Sequence, residues 1–230
     1  MTTPQLPLAL RYPPDQRFET YVAAPAGALA QLRALAQVAN ADWLYLAGPA
    51  GVGKTHLALA VCAAAEAAGR RAAFLPLKAA SGRLQDALDA FHGEVIALDG
   101  LDAIAGLRDD EIALFDFHNR ARSDDIAVLY TAQATPDALA LSLPDLRSRL
   151  GQCTRITLLP LDDEGRREVL RERAQRRGLV LDDPALDWLL RRVDRDIASL
   201  TALLDRLDRA SLAAQRRITV PFLRQTLGVD

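Results

Sequence analysis

Cysteine is almost missing: Cys62 and Cys153 are the only two thiols in 230 residues. They lie far apart and fall into neither a CxxC nor a Cys/His ligand spacing, which excludes a disulfide framework and a cysteine-built zinc site. Two buried thiols in a reducing compartment are expected instead. His56, His92 and His118 show no mutual spacing of metal ligands, and no Ser/His/Asp or Cys/His nucleophile arrangement is visible. Aromatic residues make up only 5% of the chain, which disfavours an all-β architecture; Trp43 and Trp188 lie in apolar runs and are expected in cores rather than as base-stacking platforms. No stretch approaches the roughly 18 apolar residues of a membrane-spanning helix, and the first residues lack the basic region of a secretory signal. The expected location is cytoplasmic, with no membrane partner. Positive charge is not in excess either: 28 Lys and Arg against 30 Asp and Glu leave a net charge of −2. The field of the whole protein therefore does not draw it onto a phosphate backbone, and nucleic acid is reached through a local patch or through a partner.

What is abundant is alanine and arginine, both good helix formers, in a chain that is half hydrophobic and long enough to bury a full core. From Trp43 onward, short apolar runs (WLYLA, AAFLPL, EVIALD, IAVLYTA and TRITLL) alternate with helix-periodic segments at about 54–68, 82–91 and 111–122. Strands of that length, buried on both faces and separated by helices, make a parallel α/β sheet. After Pro160 the strands stop. LDDEGRREVLRERAQRRG begins with acids suited to a helix N-terminus and ends on Gly178, DDPALDWLLRRV starts at Asp182 or Asp183 before Pro184, and two further helical runs follow. The expected organisation is an N-terminal peptide over 1–15, an α/β domain over 16–159 and a small all-helical domain over 160–230. Arg166, Arg167, Arg171, Arg173, Arg176 and Arg177 alternate with Asp163, Glu164, Glu168 and Glu172 at helical spacings. That pattern is read first as a solvated, ion-paired face, with a nucleic-acid patch as the other reading.

The chemistry is concentrated at strand ends. GPAGVGKT, comprising Gly48, Pro49, Ala50, Gly51, Val52, Gly53, Lys54 and Thr55, fits GxxxxGK[ST] between the strand WLYLA and an alanine-rich helix. Its glycines let backbone N–H groups face phosphate oxygens, Lys54 brings a charge to the β and γ phosphates, and Thr55 offers a hydroxyl to Mg²⁺. Asp99, ending the strand EVIALD, is the carboxylate that would hold the same Mg²⁺. The next residue is Gly100, where many such ATPases place an acid that polarises water, so hydrolysis by the chain alone is in question. Asp102 is either that acid's substitute or a cap. Gln133, after IAVLYTA, is either a sensor of the γ-phosphate or a turn residue. Arg147 and Arg149 in LPDLRSRLGQC are either surface arginines or groups reaching a neighbouring subunit's site.

GPAGVGKTHLALAVC, EVIALDGLDAIAG, LYTAQATP and LPDLRSRLG, followed by a helical lid, resemble in order and spacing the AAA+ module of the bacterial replication initiator DnaA over roughly residues 16–230. Counterparts of the initiator's separate oligomerisation domain and helix-turn-helix DNA-binding domain are not expected, and the layout resembles the Hda type of DnaA-related regulatory inactivator. The segment LDRLDRASLAAQRRITVPFLRQTL is similar to that family as well. The resemblance implies a P-loop AAA+ sheet flanked by helices with a small helical lid, and ADP or ATP with Mg²⁺ held by the P-loop, His56 and Asp99. It also implies that Arg149 is an arginine finger directed at the nucleotide of DnaA, and that Gln5, Leu6, Leu8 and Leu10 form a Q-x-x-L-x-L peptide binding the DNA polymerase sliding clamp. Pro13 and Pro14 keep that peptide out of any helix. DNA would be met only through the clamp, and a homodimer is open. Two departures stand out: Gly100, and Ala198 where the initiator pattern places a lid arginine, with Arg195 one turn earlier. The competing expectation is an autonomous AAA+ ATPase such as a helicase loader.

Overall fold

Five short strands, Leu44–Ala47 (β1), Ala72–Pro76 (β2), Val95–Asp99 (β3), Ala127–Ala132 (β4) and Thr154–Thr157 (β5), pair in parallel in the order β2-β3-β4-β1-β5. The computed structural model describes residues 16–21, 24–176, 178–192, 207 and 218–228. They divide between two units, one taking the chain up to Pro49 and Gly53–Leu158, the other Ala50–Val52 and the chain from Leu159 onward.

The central strands β1 and β4 are buried at every position, as two-sided burial requires of apolar runs such as LYLA and AVLYTA. The edge strand β2 is only half-buried and ends at Pro76, where a missing N–H costs no ladder bond. Leu77 already belongs to a short helix, Leu77–Ala80 (α3), so the apolar run AAFLPL is cut one residue short.

Helices Ala28–Gln37 (α1) and Lys54–Ala67 (α2) pack together against one side of the sheet. On the other side, Leu84–Asp89 (α4), Arg108–Ser123 (α5) and Pro144–Gly151 (α6) share a core with Tyr45, Ile96, Leu98, Val128 and Tyr130. The helix expected over 111–122 begins one turn earlier, because Asp109, Asp110 and Glu111 place three acids at its positive end. The segment ahead of Trp43 carried no expected element, yet it holds α1. The carbonyls of Leu35, Ala36 and Val38 at the end of α1 are collected by the Arg70 guanidinium at 3.0, 3.0 and 3.3 Å.

The second unit has its own core of Leu170, Ala174, Leu186, Trp188, Leu189, Leu207, Ile218 and Leu223. Its helices among the described residues include Asp163–Arg176 (α7), Asp183–Arg192 (α8) and Val220–Leu227. Of the two candidate caps for α8, Asp182 takes the role, accepting the Ala185 N–H at 2.8 Å. Asp183 instead pairs with Arg171 at 3.0 Å. Gly178, at φ +70°, closes α7.

Both thiols are free and buried, and both tryptophans are only 5% exposed. Trp43 meets the His118 ring edge-on, with Arg122 over its face. His118 is buried, lies 3.0 Å from the Tyr130 hydroxyl through Nδ1, and is pushed down to about 4 chiefly by burial, with Arg122 and Arg149 adding repulsion. The folded chain thus keeps it neutral at pH values where the unfolded chain protonates it, so stability falls as pH drops through that window. Between pH 7 and pH 4 the wild type should lose about 3 kcal/mol more than His118→Gln, measured by urea titration.

Candidate functional site

The carboxyl ends of the adjacent strands β3, β4 and β1 bring the predicted phosphate site together, the position where parallel sheets bind ligands. β1 delivers the loop from Gly48 to Gly53, whose first N–H is tied to the Ala132 carbonyl at the end of β4 (3.2 Å). α2 starts at Lys54, so its unpaired N–H groups and positive dipole end face the loop. Gly53 must be glycine for two reasons: its φ is +91°, and a Cβ there would lie 2.6 Å from Cε2 of Tyr21. Gly53→Ala is expected to cost about 1–3 kcal/mol of stability and to weaken nucleotide binding, read by thermal melting and by titration with a fluorescent ADP analogue.

Lys54 Nζ donates to the carbonyls of Gly48 and Pro49 at 2.6 and 2.7 Å. Burial holds its ammonium below the ordinary lysine value, opposed by the charges of Asp102 and Asp99. Thr55 Oγ1 donates to Asp99 Oδ2 at 2.8 Å, while Thr131 Oγ1 donates to Asp99 Oδ1 at 2.6 Å and accepts the Gly100 N–H at 2.9 Å. Asp99 is thereby held in one orientation from helix α2 and from the neighbouring strand β4.

This pair fits Mg²⁺, since a hydroxyl and a carboxylate oxygen stand together beside a phosphate-binding loop. Among the described residues no group of three His, Cys, Asp or Glu side chains gathers anywhere. The protein supplies few ligands and leaves the rest to phosphate and water, which is the preference of Mg²⁺. Thr55 and Asp99 are the residues that would hold it.

Asp102 accepts the Gln133 N–H with both carboxylate oxygens, at 3.0 and 2.9 Å. It caps the turn after β4, and Tyr45 secures the same turn by donating to the Ala134 carbonyl at 2.9 Å. Gln133 itself is exposed at this edge. Gly100, at φ +85°, offers no side chain.

His56, the remaining residue of the expected nucleotide set, is buried, with Nε2 at 2.8 Å from the Arg17 carbonyl and 3.1 Å from Thr20 Oγ1. Its ring meets Tyr21 edge-on, and burial raises the Tyr21 phenol to about 12. The helix carrying Lys54 and Thr55 is in this way tied to the turn Phe18–Thr20.

Arg149 is exposed on α6, and among the described residues its guanidinium makes no ion pair. Arg147, by contrast, turns back to the Leu141 carbonyl. In the second unit, Arg166 pairs with Asp163, Arg167 with Asp187, Arg171 with Asp183 and Arg176 with Glu172, so α7 is ion-paired as expected, but Arg166 is buried rather than on a solvated face. Gln5, Leu6, Leu8, Leu10, Arg177, Arg195 and Ala198 lie outside the described residues.

Sequence reasoning passed over Thr131, Tyr45 and Thr20. Thr131 had a visible signal, a hydroxyl at the end of an otherwise apolar buried strand, where it needs a partner.

Among the described residues no helix is long and apolar enough to cross a membrane. The family model for the IstB-like ATP binding protein matches residues 4–135, and the model for the lid domain of Hda matches residues 163–227. Domain III of the Thermotoga maritima replication initiation protein DnaA superposes with a TM-score of 0.79 at 19% identity, over 94% of this chain and 96% of that one. AMPPCP-bound DnaA from Aquifex aeolicus gives a TM-score of 0.69 at 18% identity, over 88% and 67%. The Thermotoga maritima RuvB Holliday junction branch migration motor gives 0.68 at 18%, over 93% and 71%. With the P-loop at β1, the Asp99 carboxylate at β3 and a matching lid, the chain belongs to the IstB-like ATP binding protein family and is a Hda/DnaA-related AAA+ protein.

Proposed function

We propose that this protein is a cytoplasmic negative regulator of replication initiation, which docks on the DNA polymerase sliding clamp and stimulates ATP hydrolysis inside the initiator DnaA. The observation that carries this reading is the match of residues 163–227 to the lid of Hda. Two features of the site agree with it. Its own catalytic position is poor, with Gly100 next to Asp99 and the Asp102 carboxylate committed to the Gln133 N–H. Arg149 presents a permanently charged fork on α6, exposed and without an ion pair among the described residues, the group needed to steady charge developing on a transferring phosphoryl in a partner's site.

In this reading the chain's own pocket holds ADP as a resident ligand, with Lys54 and the α2 N-terminus on the phosphates and Thr55 and Asp99 on Mg²⁺. The ion neutralises phosphate charge when bound. Gln133 serves this reading as the phosphate sensor, on the turn fixed by Asp102 and Tyr45. The N-terminal peptide of Gln5, Leu6, Leu8 and Leu10 inserts its leucines into the clamp, and DNA is met only through it.

The test is single-turnover hydrolysis of DnaA-bound ATP in the presence of clamp-loaded DNA, with and without this protein. Stimulation that requires both clamp and protein supports the reading; an unchanged rate refutes it. The second reading is an autonomous ATPase such as a helicase loader, favoured by the IstB-like match over the P-loop. It expects appreciable ATP turnover by the purified chain and direct binding of single-stranded DNA.

A further inference from the structure

Glu111, in the first turn of α5, is fully buried, and four donors from outside α5 converge on it. Oε1 accepts the N–H groups of Gly106 and Ser142 at 2.7 and 3.0 Å. Oε2 accepts the Ser142 hydroxyl at 2.8 Å and the Leu143 N–H at 2.7 Å. A buried carboxylate is costly unless its lone pairs are filled, and here they are. These bonds outweigh desolvation and hold its carboxyl below the ordinary glutamate range.

Leu143 is the residue that opens α6, and Pro144 follows it. That helix has no side-chain cap of its own, and the Glu111 carboxylate stands at its positive end in place of one. The same short loop is held from the other side by Arg147, whose guanidinium donates to the Leu141 carbonyl. Leu146 and Leu150 bury the inner face of α6. They hold the helix to the core, but apolar packing is non-directional and tolerates small rotations and slides. Charge-assisted bonds to two consecutive backbone positions do not. A long arginine projecting from an eight-residue helix inherits any such error.

We propose that Glu111 is a positioning residue for Arg149, locking the start of α6 so that the guanidinium meets the phosphoryl group of the partner's nucleotide; this rests on the trans role of Arg149 proposed above. Glu111→Gln keeps the shape but replaces one oxygen by an NH₂ group facing N–H donors, removing charge and acceptors together. The assay is DnaA-bound ATP hydrolysis on clamp-loaded DNA, as a function of the concentration of this protein. Glu111→Gln should lower the maximal stimulated rate on the order of 10-fold or more, with the half-saturating concentration and ADP binding by its own P-loop within about 2-fold of wild type. Combined with Arg149→Ala it should add no further loss. A spin label on Arg149→Cys should become more mobile when Glu111→Gln is added. If Arg149→Ala abolishes stimulation and Glu111→Gln leaves the maximal rate and label mobility unchanged, the positioning role is wrong. It is equally wrong if the half-saturating concentration rises or ADP binding weakens while the maximal rate is kept. If Arg149→Ala itself has no effect, the trans reading fails, and the label still reports whether Glu111 orders α6.

Discussion

Replacing Arg149 with alanine is expected to return hydrolysis of DnaA-bound ATP to its unassisted rate, a loss on the order of 10³-fold where the finger is fully engaged. The size follows from what a guanidinium contributes in a water-poor phosphoryl-transfer site: fixed positive charge in a planar fork, aimed where negative charge accumulates. Nothing in the fold should suffer, because the side chain is exposed and, among the described residues, makes no ion pair. Arg149→Lys is expected to recover little, since a point charge on a flexible stem does not reproduce the fork. The check is a single-turnover assay with clamp-loaded DNA, accompanied by melting curves that should coincide with wild type.

The second large effect belongs to the other end of the chain. Alanine at Gln5, Leu8 and Leu10 together should weaken clamp binding by roughly 10²–10⁴-fold, because two buried leucines are worth about 1.5–3 kcal/mol each before the glutamine is counted. Binding would be measured by surface plasmon resonance on immobilised clamp. The same variant should leave ADP binding by the P-loop unchanged. Loss of stimulation alongside intact clamp binding would move the contact elsewhere on the molecule.

The strands along the chain, and the loop and carboxylate at their ends, were legible because they are written in local patterns. GPAGVGKT between an apolar run and an alanine-rich helix, and Asp99 closing a second apolar run, say where the loop and the carboxylate lie before any pairing is known. Their neighbours were less legible. Thr131 touches Asp99 only because β4 lies beside β3, an adjacency that no local window contains. Asp102 could be read as an acid or as a cap; the answer came from where the Gln133 N–H falls in space.

Helix α1 was missed for a related reason. It begins on the αL glycine Gly27 with no side-chain cap and ends where Arg70, far along the chain, collects its carbonyls. Glu111 carried no reading from the sequence, because its place in a helix's first turn says nothing of the four donors it collects. The lid arginines were legible as ion-paired because their partners sit three and four residues away, as well as on the next helix.

The central claim is that the hydrolysed nucleotide belongs to the partner and the arginine to this chain. It is tested most directly by loading DnaA alone with radiolabelled ATP, adding clamp-loaded DNA and an excess of unlabelled ATP, and following the label after addition of this protein. The account predicts that label is converted to ADP while still bound to DnaA, that Arg149→Ala abolishes the conversion, and that the purified chain alone turns over little ATP. Conversion at an undiminished rate with Arg149→Ala, or turnover by the isolated chain as fast as the stimulated reaction, would contradict it.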